Sequence, residues 1–133
     1  MESGKLENRS IIERKSFDFA VRIVKLYQYL SNTKKEFILS KQLLKAGTSI
    51  GANVAEAQQA QSKADFISKI SIALKEATET KYWINLLRAT DYLTQEETES
   101  ILKDCVENEK ILTSILKSSK KLLSIFNFQL SIT

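Results

Sequence analysis

The chain has no proline and only three glycines. Proline and glycine are what a polypeptide uses to stop helices and turn corners, so a sequence nearly free of both is confined to long, uninterrupted helices with short connections. All-β folds need many turns and would draw on these residues far more often. With 133 residues, one hydrophobic core is expected and two are not. The mix of 43% hydrophobic and 27% charged residues is that of a globular protein, too apolar for a disordered one.

Hydrophobic spacing then marks four helical segments. The first runs from about Ile11 or Ser16 to Leu30, with Phe19 or Ala20, Ile23, Tyr27 and Leu30 on one face. A polar turn follows at Ser31-Asn32-Thr33-Lys34-Lys35. The second spans about Glu36 to Gln61 along Leu39, Leu43, Ala46, Ile50, Val54 and Ala57. Ser62 suits the N-cap of the third, with Asp65 complementing the helix dipole. That helix runs to about Tyr92 through Phe66, Ile70, Ala73, Ala77, Ile84 and Leu87. Thr94 with Glu97 three residues on forms a capping-box signature for the fourth. Its core line is Ile101, Cys105, Leu112, Ile115 and Leu122, and Lys117, Lys120 and Lys121 stand near its end.

Four long helices on short turns must alternate in direction, so the expected fold is all-α, an antiparallel up-down four-helix bundle. The bundle is assigned to residues 16–123, after an N-terminal extension (1–15), partly ordered or helical. The C-terminal tail (124–133) alternates Phe126, Phe128, Leu130 and Ile132 with polar residues. That is a strand period with no strand to pair with, so disorder or loose docking is expected.

Two helices carry more than a core line. In the second, Gly47, Gly51 and Ala55 repeat at four-residue steps away from the Ala46–Ile50–Val54 face. Glycine inside a helix costs about 1 kcal/mol against alanine, so close packing must offset it, either within the bundle or across a subunit contact. Beside them, Ser49, Asn53 and Glu56 form a polar stripe, read as a buried hydrogen-bonded network that fixes register rather than a ligand site. In the third helix, Ile72, Trp83 and Leu86 share a flank with Glu76 and Glu79. Such a flank suits a protein–protein contact or a neighbouring helix of the same bundle. Surplus apolar surface on both helices favours self-association, with Gly47, Gly51, Ala55, Ile72, Trp83 and Leu86 as interface candidates.

Enzyme chemistry finds no footing. The chain has no histidine, which removes the usual general base, imidazole-based triads and most zinc sites. The single Cys105 sits on a core line, as packing, and no phosphate-binding glycine loop is present. Di-iron bundles use Glu-x-x-His pairs that this chain cannot supply. No catalytic residue, metal, cofactor or small-molecule substrate is therefore expected. No apolar run reaches membrane-spanning length and the N-terminus has no signal-peptide core, so the expected location is the cytoplasm, without membrane contact. The net charge of +4 is spread along the chain. It permits nucleic-acid contact without demanding it, with Arg22, Lys25, Lys41 and Lys45 as candidates for phosphates.

The stretch Leu44-Lys45-Ala46-Gly47-Thr48-Ser49-Ile50-Gly51-Ala52-Asn53-Val54-Ala55-Glu56-Ala57, with Ser62-Lys63-Ala64-Asp65-Phe66-Ile67 and Ala73-Leu74-Lys75-Glu76-Ala77-Thr78-Glu79-Thr80-Lys81-Tyr82-Trp83, resembles a bacterial four-helix-bundle family. Its members include proteins encoded by intervening sequences in large-subunit ribosomal RNA genes, often labelled ribosomal proteins. The resemblance covers about Ser16 to Leu122. It implies a bundle that assembles as a ring, typically a homopentamer, and it brings no catalytic residues. A related branch, the accessory proteins of diversity-generating retroelements, binds nucleic acid and a reverse transcriptase through a basic pentameric barrel; this chain is more similar to the intervening-sequence branch. Two functions follow as expectations: a non-enzymatic homo-oligomeric scaffold or adaptor, or an RNA- or DNA-binding ring.

Overall fold

The computed structural model describes residues 2–132 and the side chains of residues 11–131. All of its regular structure is helical: α1 (Glu2–Asn32), α2 (Leu39–Ala57), α3 (Lys63–Ala89) and α4 (Gln95–Ile132). Each helix packs on two others, α1 on α2, α2 on α3, α3 on α4 and α4 back on α1, so that α1 and α3 lie diagonally across the core. The cycle encloses one core. Phe19, Ile23 and Leu30 enter it from α1, Leu43, Ile50 and Val54 from α2, Ile70, Ile84 and Leu87 from α3, and Cys105 and Leu112 from α4.

Both ends of the chain depart from the sequence-based boundaries. Ile12 is fully buried, so α1 contributes to the core before Ser16, and the N-terminal extension from Glu2 is helical and continuous with it. At the other end α4 continues as helix through Ile132 instead of giving way to an extended tail. An isolated strand would leave its backbone N–H and C=O groups without partners, whereas continuing a helix pairs each with the preceding turn. No proline or glycine interrupts α4, and the alternation of Phe126, Phe128 and Leu130 therefore wraps around a helix. Leu122, placed on the core line by its spacing, lies 37% exposed beyond the last core residue, Leu116.

The helix ends show how a chain without loop glycines turns. Ser62 caps α3, its hydroxyl accepting from Asp65 N–H at 3.0 Å. Thr94 and Glu97 cap α4 reciprocally: Thr94 N–H donates to Glu97 Oε1 at 2.8 Å and Glu97 N–H to Thr94 Oγ1 at 3.1 Å. Where glycine would ordinarily take the left-handed conformation after a helix, Lys35 (φ 57°) and Asp91 (φ 68°) take it instead.

The start of α2 uses a different device. Its N-cap, Ile38, has no side chain to offer. Glu36, 7% exposed, reaches forward, and its Oε1 accepts from Ser40 N–H at 2.8 Å and Ile38 N–H at 3.1 Å. Burial alone would raise this carboxyl; the backbone N–H groups of Ser40, Leu39 and Ile38 outweigh it and hold it below its ordinary value. A lowered carboxyl contributes stability above its unfolded pKa and loses that contribution as the pH falls through the folded value. Glu36→Gln is therefore expected to cost about 1–2 kcal/mol at neutral pH. In urea titrations the gap from wild type should close as the pH drops below the carboxylate range.

Candidate interaction surfaces

The glycine face of α2 is turned toward α1 of the same chain. A Cβ on Gly47 would lie 2.7 and 2.8 Å from Cγ1 and Cγ2 of Ile23, and one on Gly51 would lie 3.2 Å from the backbone oxygen of Ser16. The close approach that offsets the helical cost of glycine is thus made inside the chain, and Gly47 is buried there. Gly51 is half-buried and, with Ala55, lines an open groove between α1 and α2. That groove has a volume of about 600 Å³; Phe17, Ala20, Thr48 and Ala52 also line it.

The stripe Ser49, Asn53 and Glu56 is not a buried network. Ser49 and Asn53 are half-buried and Glu56 is exposed. Ser49 Oγ donates to Lys45 O at 2.6 Å and Asn53 Nδ2 to Ser49 O at 2.8 Å. Short polar side chains in a helix find the carbonyl one turn back before they find each other. The polar groups that are buried lie elsewhere. Among them, Asn108 sits on the core line of α4 between Cys105 and Leu112; its Nδ2 donates to Asp104 O at 2.9 Å while Oδ1 has no partner.

On α3, Ile72 is 38% exposed, Tyr82 60% exposed, and Leu86 half-buried. Trp83 rests partly on the core, stands edge-on to Tyr82 at 5.0 Å between ring centroids, and donates from Nε1 to Glu79 Oε1 at 3.3 Å. Partial burial, followed by the charge of Glu79, pushes the Glu76 carboxyl up on this same flank. A second exposed apolar line runs along α1 through Phe17 (67%), Val21 (39%) and Val24 (38%). Sequence reasoning passed over it because the same helix already had a satisfactory core face. The recurrence at four and three residues was its only signal.

The four candidate phosphate contacts do not converge. Arg22 is held by α4: Nη1 lies 2.6 Å from Asp104 Oδ2, and both Nη1 and Nη2 donate to Ser100. Lys15 pairs with Glu107 on the same seam. Lys25 is exposed on α1, and Lys41 and Lys45 on α2, where Lys45 acts electrostatically on Glu76 of α3. Arg22 and Lys45 thus belong to different flanks of the molecule, one toward α4 and the other toward α3.

Among the described residues no group of three or more acidic or cysteine side chains is placed to hold a metal ion. Cys105 is fully buried, its thiol donating to Ala77 O at 3.4 Å. Burial, then the charge of Glu109, pushes the thiol up to about 12. A thiolate is the nucleophile, so alkylation of the native protein at pH 8 should be negligible and should begin on unfolding. The unfolded thiol ionises near 9, so above that pH the folded state loses stability, by up to about 1.4 kcal/mol per unit. Cys105→Ala should remove that part of the alkaline slope. Among the described residues no helix is long and apolar enough to cross a membrane.

Comparison with known proteins identifies a family and a solved structure that the chain resembles. The family model of the 23S rRNA-intervening sequence proteins fits residues 8–114. A crystal structure from Bacteroides thetaiotaomicron, described as a protein with unknown function from the S23 ribosomal protein family, is 57% identical, covering 83% of this chain and 98% of that one, with a TM-score of 0.82. No curated protein matches.

Proposed function

The chain belongs to the family of 23S rRNA-intervening sequence proteins, and from that premise we propose that it is a non-enzymatic scaffold whose copies assemble into a ring and present a composite surface to a partner. Five copies is the number implied by the family resemblance. Each copy is an antiparallel, up-down bundle. Two sets of contacts support the antiparallel order. Ser16 and Ile23 of α1 face Gly51 and Gly47 of α2, and Lys15 and Arg22 pair with Glu107 and Asp104 of α4. Residue numbers rise along one helix as they fall along the other.

The observation that carries the reading is a pair of exposed apolar surfaces on two different helices of the molecule. Val21 and Val24 lie on α1 and Ile72 and Tyr82 on α3, two helices that sit diagonally in the packing cycle. An isologous dimer needs one self-complementary patch, whereas a ring needs two different patches that meet head to tail. Here Val21 and Val24 of one copy meet Ile72, Trp83 and Leu86 of the next. The test is the assembly mass of a variant carrying Ile72→Glu and Tyr82→Glu, which should fall to that of one copy. Nucleic-acid binding has weaker support, because Arg22 is neutralised within the chain and the remaining candidates are split between two helices, Lys41 and Lys45 one turn apart on α2 and Lys25 on α1.

A further inference from the structure

The end of α4 projects apolar surface that the core does not use. From Leu122 to Thr133 the sequence has no charged residue, and Ile125, Phe126 and Phe128 are 46%, 56% and 64% exposed. Core packing ends at Leu116 and the family match at residue 114, so this arm is an addition to the shared fold.

The same molecule offers a surface of complementary shape. The groove between α1 and α2 is lined by Phe17 and by the small residues Gly51, Ala52 and Ala55, which let another helix come close. Its rim has the carboxylates Glu13 and Asp18 and one opposing charge, Arg14. The arm is preceded by Lys117, Lys120 and Lys121, all exposed. Apolar surface faces apolar surface, and cations face carboxylates.

The occupant must come from another chain. Helix α4 is unbroken to Ile132 and packs on α1 and α3 but not on α2, so a copy's own arm is directed away from its groove. Arms pairing in parallel would crowd three lysines from each copy at the base of the contact, an unfavourable arrangement of like charges. We propose that the α4 arm of one copy docks in the α1/α2 groove of the next. This deepens the self-assembly reading and rests on it: arm and groove are different surfaces, so the contact is head to tail, as a ring requires. It adds to the Val21/Val24 contact, which lies further along α1.

Full-length protein carrying Ala52→Cys, mixed with full-length protein carrying Phe126→Cys, tests the contact with a short bis-maleimide. Both positions are exposed, and buried Cys105 stays silent. The expected result is a covalent dimer in the mixture and in neither protein alone. Lys120→Glu with Lys121→Glu should cut its yield severalfold, and adding Glu13→Lys with Asp18→Lys should restore it. No covalent dimer, in a mixture whose native mass is still that of an oligomer, overturns the arm contact and leaves self-assembly standing. A monomeric wild-type mass overturns the reading beneath both. Dimers from Phe126→Cys alone would mean arms pair with arms, and arm-dependent sedimentation with phosphatidylserine vesicles without crosslinking would mean a lipid surface; either overturns the proposal.

Discussion

Gly47→Leu is expected to remove about 3 kcal/mol or more of stability, a large share of the roughly 5–15 kcal/mol available to a domain. A Cβ at this position already lies 2.7–2.8 Å from both Cγ atoms of Ile23, well inside carbon–carbon contact. Ile23 is β-branched and fully buried, so no rotation of its side chain clears both atoms. Leucine adds more carbons to a space that does not hold the first. Even Gly47→Ala should destabilise, since a helix-propensity gain of about 1 kcal/mol is set against an overpacking cost of about 1–3 kcal/mol. The pair Gly47→Ala with Ile23→Ala separates the effects. Ile23→Ala alone leaves a cavity costing about 2–5 kcal/mol, and the double variant should cost less than the two singles together because the new methyl group fills part of that cavity. Urea midpoints of the four proteins give the coupling directly, and strict additivity would show that Ile23 is not what makes Gly47 necessary.

Ile72→Glu with Tyr82→Glu should have the opposite profile, with little effect on the fold of one copy and a large effect on assembly. Both side chains are substantially exposed, and substitutions on free surface usually stay within about 0.5 kcal/mol. At a subunit contact the same carboxylates would be desolvated beside Glu76 and Glu79, where partial burial, then the charge of Glu79, already holds the Glu76 carboxyl up. An unpaired buried charge costs several kcal/mol, and a closed ring repeats that cost at every contact. The expected result is helical protein by circular dichroism with a mass reduced to one copy. An unchanged mass would remove the α3 flank from the interface.

What was legible in the sequence was what depends on neighbours in the chain. The caps of α3 and α4 are written in Ser62, Thr94 and Glu97, each acting within three residues. The start of α2 was not legible, because its cap is Glu36, outside the helix and of a residue type that also suits a helix interior. The tail misled because a period of two carries no information when there is no sheet to join. Contacts across the fold were the least accessible. The spacing of Gly47 and Gly51 announced a close approach without naming Ile23 and Ser16 as what approaches. Arg22 looked like a free cation until Asp104, 82 residues away, was brought against it. Asn108 was within reach of sequence reasoning, since it falls between Cys105 and Leu112 at core-line spacing. It went unnoticed because only apolar residues were counted toward that line.

On the proposed ring, one copy does not hide its apolar surface alone. Light scattering on the purified wild-type chain, coupled to size exclusion, tests it most directly. A single species of several times 15.1 kDa, five times on the proposed ring, is the predicted result. A stable monomer of 15.1 kDa across the accessible concentration range would contradict it.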